Sequence, residues 1–209
     1  ISIFDIVAGK EVVNHQADKF FVPASNTKIV TCYAAMKELG DSSLTFQYAE
    51  NDTAIFIKPA GDPSLMHRDF TLHPAFEWMK QQKKSLYITT DHWKTKMWGS
   101  GWAWSDYDAS YMPERSALPV FGNTTIWEQV LVINDLDEEP TPAITTDPAF
   151  GWLANFSIHN PDSSFKITRA LASNEFTIYQ GKEDNAKQEV PFVTDNVQTA
   201  AAILSEILF

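Results

Sequence analysis

The chain has 209 residues, 44% of them hydrophobic and 21% charged, which is ordinary for a folded protein with one large domain or two small ones. Its formal net charge of -11 opposes binding to a polyphosphate backbone, so no nucleic-acid partner is expected. No apolar run is long enough for a membrane span, and the single Cys32 excludes an internal disulfide and a zinc site built on cysteines.

Ile1 stands inside a strand-like pattern with no initiator Met, which points to a trimmed start; the lack of a visible signal peptide then leaves the compartment open. Residues 1–7 and 11–15, joined at Ala8-Gly9-Lys10, read as a β-hairpin. A helix is expected from about Ser25 to Leu39, with Pro23 before its start and Gly40 just past its end. Further strands are expected over 53–58, 85–90, 126–134, 165–171 and 175–180, and a second helix over 74–83. Turn-rich stretches at 61–63, 98–103, 135–142 and 181–185 separate them. Over 195–209, Val197, Ala201, Leu204 and Leu208 recur at helical spacing, with Thr194, Asp195 or Asn196 available as a cap. That helix needs a packing partner, which could lie in sequence outside this chain.

Ser25-Asn26-Thr27-Lys28 fits the S-x-x-K pattern of serine acyltransferases whose base is a lysine. On the order of one such match is expected by chance in a chain this long, and Ser163 to Lys166 is a second. Geometry separates them. Lys166 falls in a strand-like run, where positions three apart point to opposite faces. Lys28 falls on a helix, where positions three apart stack and bring the amine beside the Ser25 hydroxyl. Lys28 also borders the apolar stripe through Ile29 and Met36, so it is expected to be partly desolvated. Desolvation and the positive end of the helix both disfavour the ammonium, so a neutral amine could take the serine proton. The plainer reading makes Ser25 an N-cap and Lys28 a surface residue of the first turn. On the residues alone both stay open.

Four blocks in order extend the pattern: the hairpin with Ala8-Gly9-Lys10-Glu11-Val12-Val13; Pro23-Ala24-Ser25-Asn26-Thr27-Lys28; Gly61-Asp62-Pro63-Ser64-Leu65; and Gly101-Trp102-Ala103-Trp104-Ser105-Asp106 leading through Tyr111 and Ser116-Ala117-Leu118 to Gly122-Asn123. With them the chain resembles the N-terminal half of the D-alanyl-D-alanine carboxypeptidase/endopeptidase family of low-molecular-mass penicillin-binding proteins. Ser105 stands where that family usually has an acidic residue. The resemblance implies an α+β fold: a partial penicillin-binding, serine beta-lactamase-like catalytic domain over 1–50 and 194–209, its S-x-x-K helix on an antiparallel sheet. A mainly β inserted domain would occupy 51–193. It implies Ser25 as nucleophile, Lys28 as general base, no cofactor, peptidoglycan peptides as substrates, beta-lactams as acylating inhibitors and a periplasmic location. The family's later S-x-N and K-T-G motifs do not occur in this sequence. A truncated chain is the first explanation and a degenerate relative the second. The competing class is a non-catalytic envelope protein that binds peptidoglycan or a protein partner on the same scaffold. The oligomeric state is not legible.

Two other clusters weigh less. His67 and His73 lack metal-ligand spacing. Asp106 and Asp108 beside Trp98, Trp102 and Trp104 suggest a glycan site, but aromatic packing in an irregular loop is the favoured reading.

Overall fold

A computed structural model describes residues 1–132, 141–149, 155–159 (backbone) and 164–208. The chain divides into two compact units, Ile1–Ser43 and Leu44–Phe209.

In the first unit, β1 (Ser2–Asp5) and β2 (Lys10–Asn14) form the expected antiparallel hairpin. The Asp5 carboxylate accepts the turn N–H groups of Val7 and Ala8 at 2.9 and 2.8 Å, which closes the connection. A 3-10 turn over Ala24–Asn26 leads into α1 (Thr27–Leu39), which ends at Gly40 with φ 72°. The helix is therefore where the Pro23 and Gly40 signals put it, except that its first turn is wound more tightly. None of its residues is buried: Ile29, Val30, Tyr33, Met36 and Leu39 are each 63–71% exposed. The apolar stripe exists, and within this unit nothing covers it.

Among the described residues the second unit holds three three-stranded sheets. In the first, β4 (Ala54–Pro59) pairs antiparallel with β3 (Phe46–Glu50) and parallel with β5 (Ser85–Ile88). In the second, β6 (Thr124–Val132) lies between β7 (Thr141–Asp147) and β11 (Ala186–Pro191), antiparallel to both. In the third, β10 (Glu175–Tyr179) pairs parallel with β8 (Asn155–His159) and antiparallel with β9 (Lys166–Arg169). Helix α2 (Pro74–Lys80) has Pro at its first position, where the missing N–H costs nothing.

Alternation decides which residues face inward. Ile55 and Ile57 of β4, Ile167 of β9, and Phe176 and Ile178 of β10 are buried, and the residues between them, Phe56 included, are more exposed. They share one core with Trp127, Phe192 and the inner face of α3 (Gln198–Leu208), which contributes Ala200, Ile203 and Leu204. Each such side chain contributes roughly 1.5–3 kcal/mol of hydrophobic stabilisation. The terminal helix thus finds its partner inside this chain: Ala201, Leu204 and Leu208 face Ile57, Met79 and Ile88 across a small apolar groove. Two of its three candidate caps are engaged elsewhere, since Thr194 Oγ1 donates to Glu114 and Asn196 Nδ2 to Thr90.

Strands β3, β7, β8 and β11 are additions to the sequence reading. The expected turn over 135–142 and Ser163 of the second S-x-x-K match lie largely outside the described residues, while Lys166 opens β9 as a strand residue.

Candidate active site

Ser25 sits in the 3-10 turn and Lys28 in the first turn of α1, and Lys28 Nζ donates to Ser25 Oγ at 3.4 Å. That is at the outer edge of hydrogen-bond reach. Catalytic hydrogen bonds in unliganded sites are commonly long and tighten with substrate bound. The plainer reading of Ser25 as the helix N-cap is not what the turn shows: Asn26 holds that position, with no side-chain cap bond. The Asn26 N–H instead donates to Pro23 O at 3.0 Å, which tightens the chain around the serine.

One feature of this turn escapes sequence reasoning. Ala24, immediately before Ser25, has φ 46°, a conformation that a residue with a Cβ rarely adopts. Such backbone persists where the surroundings enforce it, and it recurs beside reacting groups. No residue-type signal marks it, because Ala carries none.

The expected desolvation of Lys28 is not present in this unit. Ser25, Lys28 and Cys32 are exposed, as is every residue of α1. The reason is local: the stripe that should bury the lysine edge has no packing neighbour.

The third and fourth sequence blocks belong to the second unit, where they are joined. The Gly61 N–H donates to Ala117 O at 2.8 Å, and the Phe121 N–H donates to Leu65 O at 3.1 Å. Asp62, buried, accepts from Thr45 Oγ1, from the Ser64 N–H at 3.1 Å and from Ser64 Oγ at 2.8 Å. Asn123, also buried, donates to Glu114 O and Ser116 Oγ at 2.8 and 3.1 Å and accepts the Val120 N–H. Further along, Arg169 ties the connection after β5 to the sheets, with Nη2 donating to Tyr107 O and Tyr107 Oη donating back to Arg169 O.

The aromatic loop departs from the packing expected of it. Trp98 is half-buried, but Trp102 is 41%, Trp104 73% and Tyr111 74% exposed. The Asp106 carboxylate, as an acceptor for the Tyr111 hydroxyl, holds the phenol's pKa above its usual value. His67 packs against Phe70, and among the described residues no three His, Cys, Asp or Glu side chains gather as a metal site. Among the described residues no helix is long and apolar enough to cross a membrane.

A model of the D-Ala-D-Ala carboxypeptidase 3 (S13) family matches residues 1–208. Among solved structures, the crystal structure of penicillin-binding protein 4 from Haemophilus influenzae is similar, with a TM-score of 0.66 at 16% identity. The match covers 98% of this chain and 49% of that one, so the chain spans about half the length of the structure it resembles. No curated protein matches at a significant level. The α+β architecture agrees with that fold, and the match over nearly every residue establishes that the chain belongs to the D-Ala-D-Ala carboxypeptidase 3 (S13) family of low-molecular-mass penicillin-binding proteins.

Proposed function

We propose that this chain supplies the nucleophile and base of a serine-type D-Ala-D-Ala carboxypeptidase or endopeptidase that acts on peptidoglycan stem peptides in the bacterial periplasm. The observation that carries the reading is the Ser25–Lys28 pair, 3.4 Å apart at the start of a helix, in a chain matched by the family over residues 1–208. Lys28 takes the hydroxyl proton as Ser25 Oγ attacks the carbonyl carbon of the penultimate D-alanine. The tetrahedral intermediate collapses, the C–N bond breaks, and the leaving D-alanine amine takes a proton. Hydrolysis of the Ser25 ester by water would complete the cycle. The Ser25 N–H, in the turn before α1, is a candidate donor to the oxyanion. A beta-lactam would acylate the same hydroxyl.

The resemblance assigns residues 1–50 and 194–209 to the catalytic domain and 51–193 to an insertion. In the structure the second compact unit begins at Leu44 and includes α3, so we infer that the insertion and its return helix are built as one body. The sequence has no S-x-N and no K-T-G, the groups of a second proton relay and a substrate carboxylate clamp. We therefore expect at most a single acylation by this chain alone, without turnover.

The exposure of Ser25 and Lys28 favours a second reading, in which the scaffold binds peptidoglycan or a protein partner without chemistry. A stem peptide ending in D-Ala-D-Ala separates the two. The catalytic reading predicts up to one D-alanine released per chain, and none from Ser25→Ala. Release that survives in Ser25→Ala would remove the assignment of the nucleophile, and binding with no release would favour the second reading.

A further inference from the structure

The residues of the third and fourth sequence blocks play no part in the chemistry assigned to Ser25 and Lys28, yet they converge on one cleft of about 350 Å³ in the second unit. Gly61 and Pro63 come from one block, and Trp102, Tyr111, Ser116 and Asn123 from the other. The backbone bonds from Gly61 to Ala117 and from Phe121 to Leu65 fix the two blocks against each other. The volume falls at the small end of the roughly 300–1,000 Å³ typical of small-molecule sites.

Its aromatic walls are set by close approach. A Cβ at Gly61 would lie 2.8 Å from the Trp93 ring, and one at Gly99 would lie 2.5 Å from Trp102 Nε1. Each tryptophan therefore lies against bare backbone, where any other residue would displace it. The Arg115 guanidinium sits 5.5 Å from the centre of the Trp102 ring and donates to Trp98 O at 2.8 Å, and its own N–H donates to Met97 O. This clamps the ring while leaving it 41% exposed. Arg115 is itself exposed and has more donors than that one side-chain bond engages.

The charge in the lining limits the ligand. Glu114 is the only carboxylate among the lining residues, and it is buried, with Oε2 accepting the Thr194 N–H at 2.7 Å and Thr194 Oγ1 at 2.8 Å. Among the described residues no exposed carboxylate lines the cleft to receive an ammonium group. What remains is a pair of indole side chains, prolines and a cationic hydrogen-bond donor. That combination suits a neutral ring with one apolar C–H face and a periphery of hydroxyl and acetamido acceptors.

We propose that this cleft, walled by Trp93 and Trp102 with Arg115 at its edge, is a saccharide subsite that takes an N-acetylhexosamine unit. The C–H face of the sugar stacks on Trp102 and its acetamido or hydroxyl oxygens accept from Arg115. The chemistry rests on the second unit alone; that the sugar comes from the glycan of peptidoglycan rests on the function proposed above.

The test is calorimetric titration of the whole chain with tri-N-acetylchitotriose, with a sugar-free D-Ala-D-Ala stem peptide as competitor. The proposal expects saturable binding that the peptide does not displace, weakened about tenfold or more in Trp102→Ala and in Arg115→Ala. Trp102→Phe, which keeps an aromatic face, should retain most of the affinity. Ser25→Ala should bind as the wild type does, and Trp102→Ala should leave acylation of Ser25 unchanged. Acylation of Ser25 is read separately, so loss of either reading is visible without the other. No saturable binding by a chain with a cooperative thermal transition would overturn the proposal. So would equal binding by Trp102→Ala, or displacement by the peptide, which would make the cleft a peptide site.

Discussion

Arg169 offers the sharpest test of how the second unit is held together. Its side chain is 2% exposed, yet its three nitrogens donate to five backbone carbonyls: Pro191, Ala170, Leu171, Ser173 and Tyr107. Burial lowers its pKa from the usual value, opposed by the charges of Glu114 and then of Tyr107 and Asp108. An arginine stays protonated despite such a shift. Replacing it with Met keeps much of the volume and strands those carbonyls together with the Glu114 charge. Loss of one partner from a buried charged network costs about 3–5 kcal/mol. For a unit of this size each kcal/mol lowers Tm by roughly 2–4 °C, so Arg169→Met should melt about 6–20 °C below wild type. Arg169→Lys keeps the charge but has fewer donors in the wrong geometry, and should fall between the two. Urea unfolding followed by far-ultraviolet circular dichroism measures the difference. A Met variant within 1 kcal/mol of wild type, or a Lys variant equal to it, would refute the argument that this fork of hydrogen bonds holds the connection after β5 to the sheets.

Gly61→Ala combines φ 81° with a Cβ 2.8 Å from Trp93, and should cost about 1–3 kcal/mol and shift the tryptophan emission. Asp62→Ala removes the acceptor for Thr45 and Ser64, and should cost about 2–3 kcal/mol by the same unfolding measurement. The Tyr111 phenol should ionise above the usual tyrosine range because its hydrogen bond to the Asp106 carboxylate favours the protonated form. Ultraviolet titration should show that transition moving down in Asp106→Asn, and an unmoved transition would disprove the pairing. The exposed stripe of α1 should make the isolated chain self-associate and enhance the emission of a hydrophobic dye, both reduced in the double variant Ile29→Ser and Met36→Ser. Sedimentation velocity checks this, and a dye-silent monomer would contradict it.

What the sequence discloses is local. Pro23 and Gly40 bracket α1, Pro74 starts α2, and the alternation in Glu175–Tyr179 marks β10, because each signal lies within the element it defines. Strand β11, Ala186–Pro191, reads as polar because its first four residues are half-exposed or exposed, and only its pairing with β6 makes it a strand. Register with a distant partner leaves no trace in a six-residue window. The site shows the same division. The i, i+3 spacing puts Lys28 beside Ser25, as helical geometry requires. The left-handed Ala24, the exposure of α1 and the meeting of Gly61 with Ala117 all depend on long-range packing, or on its absence, and none is marked by residue type.

The central claim is that Ser25 is a nucleophile served by Lys28. It is tested most directly by intact-mass analysis after prolonged incubation with benzylpenicillin, with peptide mapping, on wild type, Ser25→Ala and Lys28→Met. The account predicts one penicilloyl group per chain, mapped to Ser25, lost in Ser25→Ala and strongly slowed in Lys28→Met. No adduct on the folded wild-type chain, or an adduct that persists in Ser25→Ala, would contradict it.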